Sequence, residues 1–317
     1  MDDIHTPRCT DRPTDRVESV PSRTPQGSRS EPNKANDSDA FHSFSLRRRI
    51  GAARLRDIEH ELSPRDRRIL ADLKRLRVLS GSQLERLHFQ TVADSARGRA
   101  RRRVLRRLVH LSLVTTLDRQ IGGIRAGSAG LIYTLTGAGH RLLTSDEAIR
   151  RRNPTTPGQL FLEHALAIAE LYAHLAEQAP NHEATVVAFT AEGDAAWLAP
   201  DRHGQLVPLR PDAYLVLATN DLEDVWWIEV DRATESLPRL RAKLDAYVRL
   251  ARSGRHVPGD VMPRVLITVP HEHRRAGVNR VIRSAKASDG LLQVVLHEQA
   301  TDYLLAELHG DEIDKPP

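Results

Sequence analysis

The feature that most constrains this chain is a pair of apolar runs with carboxylates at their ends. They are Arg210-Pro211-Asp212-Ala213-Tyr214-Leu215-Val216-Leu217 and Val225-Trp226-Trp227-Ile228-Glu229-Val230-Asp231. Their content of Val, Ile, Tyr and Trp, with the polar stretch from Thr219 to Asp224 between them, predicts two paired strands buried on at least one face. Side chains at i and i+2 leave a strand on the same face, so Glu229 and Asp231 are expected to project together. A neighbouring strand then brings Asp212 beside them. Trp226 and Trp227 fall on opposite faces and are expected in the core. Carboxylates gathered at strand ends can hold a hard divalent cation through oxygen ligands.

A length of 317 residues predicts two domains with accessory segments. No apolar run approaches the roughly 20 residues needed to cross a bilayer. The start Met1-Asp2-Asp3-Ile4-His5 lacks a basic region followed by an apolar one, so no secretory signal is expected. The single Cys9 excludes an intramolecular disulfide and a cysteine-rich zinc module. These features predict a cytoplasmic protein with no membrane partner. The net charge of +5 is unevenly spread: residues 63–152 carry 20 Lys and Arg against 7 Asp and Glu, whereas residues 153–317 carry 16 against 24. One part is built to hold a polyanion and the other to do something different.

Residues 1–45 are rich in Pro, Ser, Thr, Asp and Arg and too poor in apolar residues to offset chain entropy. Disorder is expected there, with a disordered segment drawn through residue 60. Ser63-Pro64-Arg65-Asp66 then reads as a helix start, with an N-cap, a proline in the first turn and an acid to return the capping bond. Ile69, Leu70, Leu73 and Leu76 follow at helical spacing. A second helix fits Ser80 to Leu87 and a third runs from about Asp94 to His110. The third carries Arg97, Arg99, Arg101, Arg102, Arg103, Arg106 and Arg107 with no acid after Asp94. On a helical wheel, Ala100, Val104, Leu108 and Leu111 share one face and Arg99, Arg102, Arg103 and Arg106 the opposite one. Like charges stacked this way repel, and an anionic partner is the simplest compensation. Two strands, Leu113 to Leu117 and Leu131 to Leu135, flank the Gly-rich stretch 122–130 as a hairpin.

Three helices, a hairpin and the Tyr133-Thr134-Leu135-Thr136 lead into a fourth helix resemble the winged-helix DNA-binding domain over about Leu62 to Leu143. The resemblance implies that double-stranded DNA meets Arg97, Arg99, Arg102, Arg103 and Arg106, with Arg125 in the wing. Such arginines either read guanine edges or hold phosphates. The polar stretch Arg150 to Gly158 marks the expected boundary, giving a domain over 61–150, a second over 155–300 and a tail over 301–317.

In the second domain, a buried helix from Leu160, the strand Ala184 to Phe189, the two strands above, a helix from Ser236 to Arg252 and the strand Arg264 to Val269 give an α-β-β-β-α-β order. A further helix and strand follow. With Pro-Asp on one strand and Glu-x-Asp on the next, this resembles the PD-(D/E)xK phosphodiesterase superfamily over about residues 158–298. The overall expectation is an α+β fold, a winged helix followed by a nuclease-like α/β domain. The resemblance implies Asp212 and Glu229 as magnesium ligands, Glu163 as an additional helical acid, and a lysine two residues after the second acid. Asp231 stands at that lysine position. Some members move the lysine to the following helix, and Lys243, the sole lysine between Lys74 and Lys286, fills that role here. Asp212, Glu229, Asp231, Lys243 and Glu163 are therefore the expected catalytic set.

His271-Glu272-His273 is read as a solvated loop after a strand, and no GxxxxGK[ST] phosphate loop occurs. Together, the winged-helix pattern, the Tyr133 lead and the run from Arg210 through Asp231 to Lys243 and Tyr247 resemble the replication-relaxation family of bacterial plasmids and mobile elements. That resemblance implies a DNA-binding protein acting in replication or DNA relaxation, with itself as a dimer or replication proteins as further partners. Two alternatives stand beside it: a transcriptional regulator with an inactive nuclease-like oligomerisation domain, and a magnesium-dependent endonuclease or nickase.

Overall fold

The computed structural model describes residues 50–120, 130–144, 158–255 and 257–310, and Arg125 lies outside these described residues. The helical part begins earlier than expected. Helix α1 (Ala52–Glu61) falls, all but its last residue, inside the segment read as disordered, and it holds because Ile58 is buried and the chain packs on α5 (Gly137–Leu143). The polar composition of residues 1–45 diluted the short apolar signal of Leu55, Ile58 and Leu62.

Helix α2 (Pro64–Leu76) starts with the predicted capping box: Asp66 N donates to Ser63 Oγ at 3.2 Å and Ser63 N returns a bond to Asp66 Oδ2 at 2.8 Å. The short strand β1 (Val78–Ser80) leads into α3 (Gly81–His88), itself capped by a Ser80–Gln83 box. Helix α4 (Asp94–His110) carries the arginines. Strands β2 (Val114–Gln120) and β3 (Leu131–Leu135) pair antiparallel, and β1 adds to the free side of β3 to give the order β1-β3-β2. Thr136 caps α5 by accepting from Ala138 N and Gly139 N. Gly139 is required because a Cβ there would overlap the Leu113 carbonyl oxygen.

Helix α6 (Gln159–Gln178) opens the carboxyl-terminal half. The sheet that follows has five strands: β4 (Thr185–Ala191), β7 (Ala213–Ala218), β8 (Glu223–Val230), β9 (Arg264–Val269) and β10 (Leu292–Leu296), in the order β10-β9-β8-β7-β4. The pairs β4/β7 and β7/β8 are antiparallel, and β8/β9 and β9/β10 are parallel. Helices α7 (Leu237–Arg252) and α8 (Glu272–Ala285) supply the crossovers the parallel pairs require. A hairpin of β5 (Trp197–Pro200) and β6 (Leu206–Leu209) is inserted before β7, an element absent from the expected order.

Residues 301–309, expected as a tail, form most of α9 (Ala300–His309), whose Leu304, Leu305 and Leu308 are buried. The two tryptophans divide the core as their alternation predicts. Trp226 joins a cluster with α6 and α9, and Trp227 a second cluster with Leu240, Leu244 and Tyr247 of α7. The first cluster runs without a break from Ile58 and Leu70 to Leu308, so the two expected halves share one core. Among the described residues, no helix is long and apolar enough to cross a membrane.

Candidate functional site

The antiparallel pairing of β7 and β8 sets Asp212, just before β7, opposite the end of β8: Asp212 N donates to Ile228 O at 3.0 Å. Asp212 Oδ2 accepts from Val230 N at 2.7 Å. Glu229 therefore lies beside it, buried at 3 % exposure. Helices from both sides of the sheet reach this end. From α7, Lys243 Nζ donates to Glu229 Oε2 and lies 3.8 Å from Asp212 Oδ1, while Tyr247, one turn on, donates to Glu229 Oε1. From α6, His164 Nε2 lies 3.2 Å from Asp212 Oδ1.

The electrostatics follow from burial and these partners. Burial pushes the Glu229 carboxyl up to about 7, against the opposing pull of Lys243. Burial also opposes ionisation of Asp212, but the His164 hydrogen bond and the Lys243 charge prevail and hold it below its ordinary value. Burial disfavours the Lys243 ammonium, yet the charges of Glu229 and Asp212 outweigh it and raise the group. His164 is likewise raised: burial acts against the imidazolium, and the Asp212 hydrogen bond overcomes it. Tyr247 is driven well above its ordinary range, first by burial and then by Glu229, and stays a proton donor.

Two of the expected site residues stand elsewhere. Asp231 is engaged by Arg274, whose Nε donates to its Oδ2 at 2.7 Å, and its Oδ1 accepts from Ala233 N at 2.7 Å. Glu163 accepts from Arg232 Nη2 at 2.5 Å and from Gln159 Nε2 at 2.8 Å. It is the adjacent His164, one helical step round, that meets Asp212. Sequence reasoning missed His164 and Tyr247 as partners. Tyr247 was legible, lying one turn after Lys243, whereas His164 required knowing how α6 is rotated. His271, read as loop, caps α8 by accepting from Arg274 N.

A magnesium ion commonly uses only one or two protein carboxylates and fills its remaining positions with water and substrate phosphate. Among the described residues no group of three or more His, Cys, Asp or Glu side chains gathers around a metal position. Asp212 and Glu229 still provide the hard-oxygen pair, and the protein already holds a cation, the Lys243 ammonium, against both of them. The donor set fits.

The second candidate surface is α4. Arg99, Arg102, Arg103 and Arg106 are exposed, and with Arg107 and His110 they line an open depression of about 420 Å³. Those first four make no ion pair or hydrogen bond among the described residues. Arg97 does not join them, because it pairs with Asp94 at 2.5 Å and bonds the carbonyls of Gln90 and Val92. Arg107 is divided, lining the depression while bonding Asp66. Arg101 is buried, its Nη1 2.8 Å from Glu85 and 3.3 Å from Gly81 O, so the inner face of α4 centres on Arg101, Leu105 and Leu108.

Neither a curated protein nor a solved structure matches the chain. A family model does: that of the replication-relaxation proteins matches residues 70–265, which cover more than half of the chain and include α4, Asp212, Glu229, Lys243 and Tyr247. The protein belongs to the replication-relaxation family.

Proposed function

We propose that the chain is a cytoplasmic DNA-nicking protein of a plasmid or other mobile element, combining a winged-helix duplex reader with a PD-(D/E)xK-type phosphodiesterase centre. The observation that carries the reading is the contact of Lys243 with both carboxylates, Glu229 and Asp212. The residue two positions after Glu229 is an acid, yet a lysine from the next helix arrives at the pair. The strand order and the mixed parallel and antiparallel pairing of the five-stranded sheet also suit that superfamily.

In such a centre Asp212 and Glu229 would hold magnesium, which when bound neutralises phosphate charge and lowers the pKa of a bound water. Lys243 brings a compact positive charge to a non-bridging or leaving oxygen. Tyr247 fixes the Glu229 carboxylate through Oε1, and His164 fixes Asp212 through Oδ1. Arg99, Arg102, Arg103 and Arg106 supply unpaired guanidinium groups for duplex phosphates or guanine edges.

A second reading has its own support. Both Glu229 oxygens and both Asp212 oxygens already accept internal donors, and Asp231 is neutralised by Arg274. A regulator with an inactive nuclease-like module would look the same. Supercoiled plasmid carrying the element's own origin, incubated with the protein and magnesium, separates the two. Nicked circles that vanish with Asp212→Asn and Glu229→Gln, while both variants still bind the plasmid, support the nicking protein. Binding without any nicking by the unaltered chain supports the regulator.

A further inference from the structure

Residues 153–317 are acidic as a whole, 24 Asp and Glu against 16 Lys and Arg, yet the helices α7 and α8 in that half reverse the sign. Helix α8 carries Arg274, Arg275, Arg280 and Arg283 against the single acid Glu272. Arg274 turns inward to Asp231. Arg275 pairs with Glu272 at 2.8 Å, which cancels the one acid. Arg280 and Arg283 are exposed and make no ion pair or hydrogen bond among the described residues. They are three apart, so like charges face one another on the helix surface, a placement that costs a few tenths of a kcal/mol in an isolated helix. With Glu272, Arg275 and Asn279 they border a surface depression of about 290 Å³. On the neighbouring helix, Arg241 of α7 donates to Ser284 O at 2.9 Å, adding a guanidinium beside the stripe, though it also pairs with Asp245.

The position of this stripe connects it to the carboxylates. Strands β8 and β9 are parallel, so their carboxyl ends, with Glu229 and Val269, lie at the same sheet edge. In open parallel sheets that edge is where ligands bind. Helix α8 starts three residues after β9, and its first turn is tied to the Glu229 strand through the 2.7 Å bond from Arg274 to Asp231. From Arg280 to Arg283 the helix rises about 4.5 Å, at roughly 1.5 Å per residue, comparable to about one nucleotide of duplex backbone at roughly 3.4 Å per nucleotide in each strand.

We infer that the outer face of α8, through Arg280 and Arg283, is a second DNA-backbone contact, which holds the phosphates flanking the segment presented to Asp212 and Glu229. This rests on the proposed DNA-processing function but not on α4 being the reader. The contact is with phosphate and carries no base sequence, since Arg280 and Arg283 make no ion pair or hydrogen bond among the described residues that would orient them toward a base edge. It makes the protein bivalent for DNA, with one arginine face on α4 and another on α8.

The test is salt-dependent binding of the full chain to a labelled duplex of about 30 base pairs, read by anisotropy between about 50 and 200 mM salt. Each phosphate contact contributes about 0.9 to the slope of log K against log salt, so losing two lowers the slope by about 1.8 and shrinks the affinity loss over that fourfold salt range by about twelvefold. Arg280→Gln/Arg283→Gln should show that reduction, and Arg280→Glu/Arg283→Glu a larger loss of affinity. Both residues are exposed, and unchanged circular dichroism would verify that the variants fold. Affinity and slope equal to the unaltered chain in both variants overturn the inference and leave α8 to an acidic protein partner. Arg102→Gln/Arg106→Gln, run alongside, keeps the two ideas separate. A loss there with no change at α8 sinks the second contact alone, and a loss at α8 with no change at α4 sinks the winged-helix reader while the α8 contact stands.

Discussion

Lys243 is the residue whose replacement separates architecture from chemistry. Its side chain is 29 % exposed and that of Glu229 only 4 %, so the pair is buried at the carboxylate end and half open at the ammonium end. Removing one partner of a fully buried pair costs about 3–5 kcal/mol, because the remaining charge is left without compensation. Partial exposure of Lys243 lets water reach the site, Tyr247 stays beside Oε1, and Glu229, already raised to about 7 by burial, takes up a proton once the cation is gone, so Lys243→Met should cost about 2 kcal/mol. For a domain of this size that is a fall in Tm of roughly 4–8 °C. Adding Glu229→Gln to Lys243→Met should restore part of the loss, since no carboxyl then has to be held protonated above its ordinary range. Lys243→Arg keeps the positive charge and should fold within about 1 kcal/mol of the unaltered chain. The guanidinium keeps the charge beside the carboxylates but presents it as a broad planar fork instead of a compact ammonium, so plasmid nicking should still drop by about a hundredfold, or roughly 2.7 kcal/mol of barrier. Urea denaturation and a nicking assay on the same preparations read both quantities. If Lys243→Met is as stable as the unaltered chain, Glu229 does not depend on this cation and the reasoning about the pair is wrong. If Lys243→Arg nicks at full rate, the lysine holds Glu229 in position and does no more.

Two further outcomes concern the framework. Gly139→Ala puts a methyl group into the Leu113 carbonyl and against Leu135, and backbone cannot move aside as a side-chain tip can; a loss of about 1–3 kcal/mol in urea denaturation is expected, and an unchanged midpoint would show that α5 can shift at no cost. Asp66 is fully buried; burial opposes its ionisation, but bonds from Ser63 and the Arg107 guanidinium hold it below its ordinary value of 3.8. A carboxyl lowered by folding adds stability above its unfolded value and gives it up as the pH falls through the folded one. The unaltered chain should therefore lose stability on acidification below about pH 4 more steeply than Asp66→Asn, and parallel curves would remove Asp66 from that role.

What the chain disclosed about itself divides along a physical line. Local signals were readable: the Ser63 capping box, the alternation that sends Trp226 and Trp227 into two separate cores, and the arginines of one helix face are all settled within a few residues. Lys243 was also readable, because a lone lysine in an arginine-rich segment marks a place where a compact charge matters, and it reaches both acids. What failed depended on how distant elements are rotated against one another. A period-2 rule sends Glu229 and Asp231 to one face, but β8 ends at Val230 and the last carboxylate is claimed by Arg274 from α8, 43 residues later. Glu163, the helical acid that the resemblance implied, and His164 are neighbours 100° apart on a helix, and only the packing of α6 on the sheet decides which of them meets Asp212. Arg101 shows the same limit within α4. Seven arginines in one helix invite a purely electrostatic reading, yet this one is buried because Glu85 and the Gly81 carbonyl on α3 wait for it. The site is thus a place where local rules were obeyed strand by strand and helix by helix, and where the tertiary partners, His164, Tyr247 and Arg274, decided which carboxylates remained to meet Lys243.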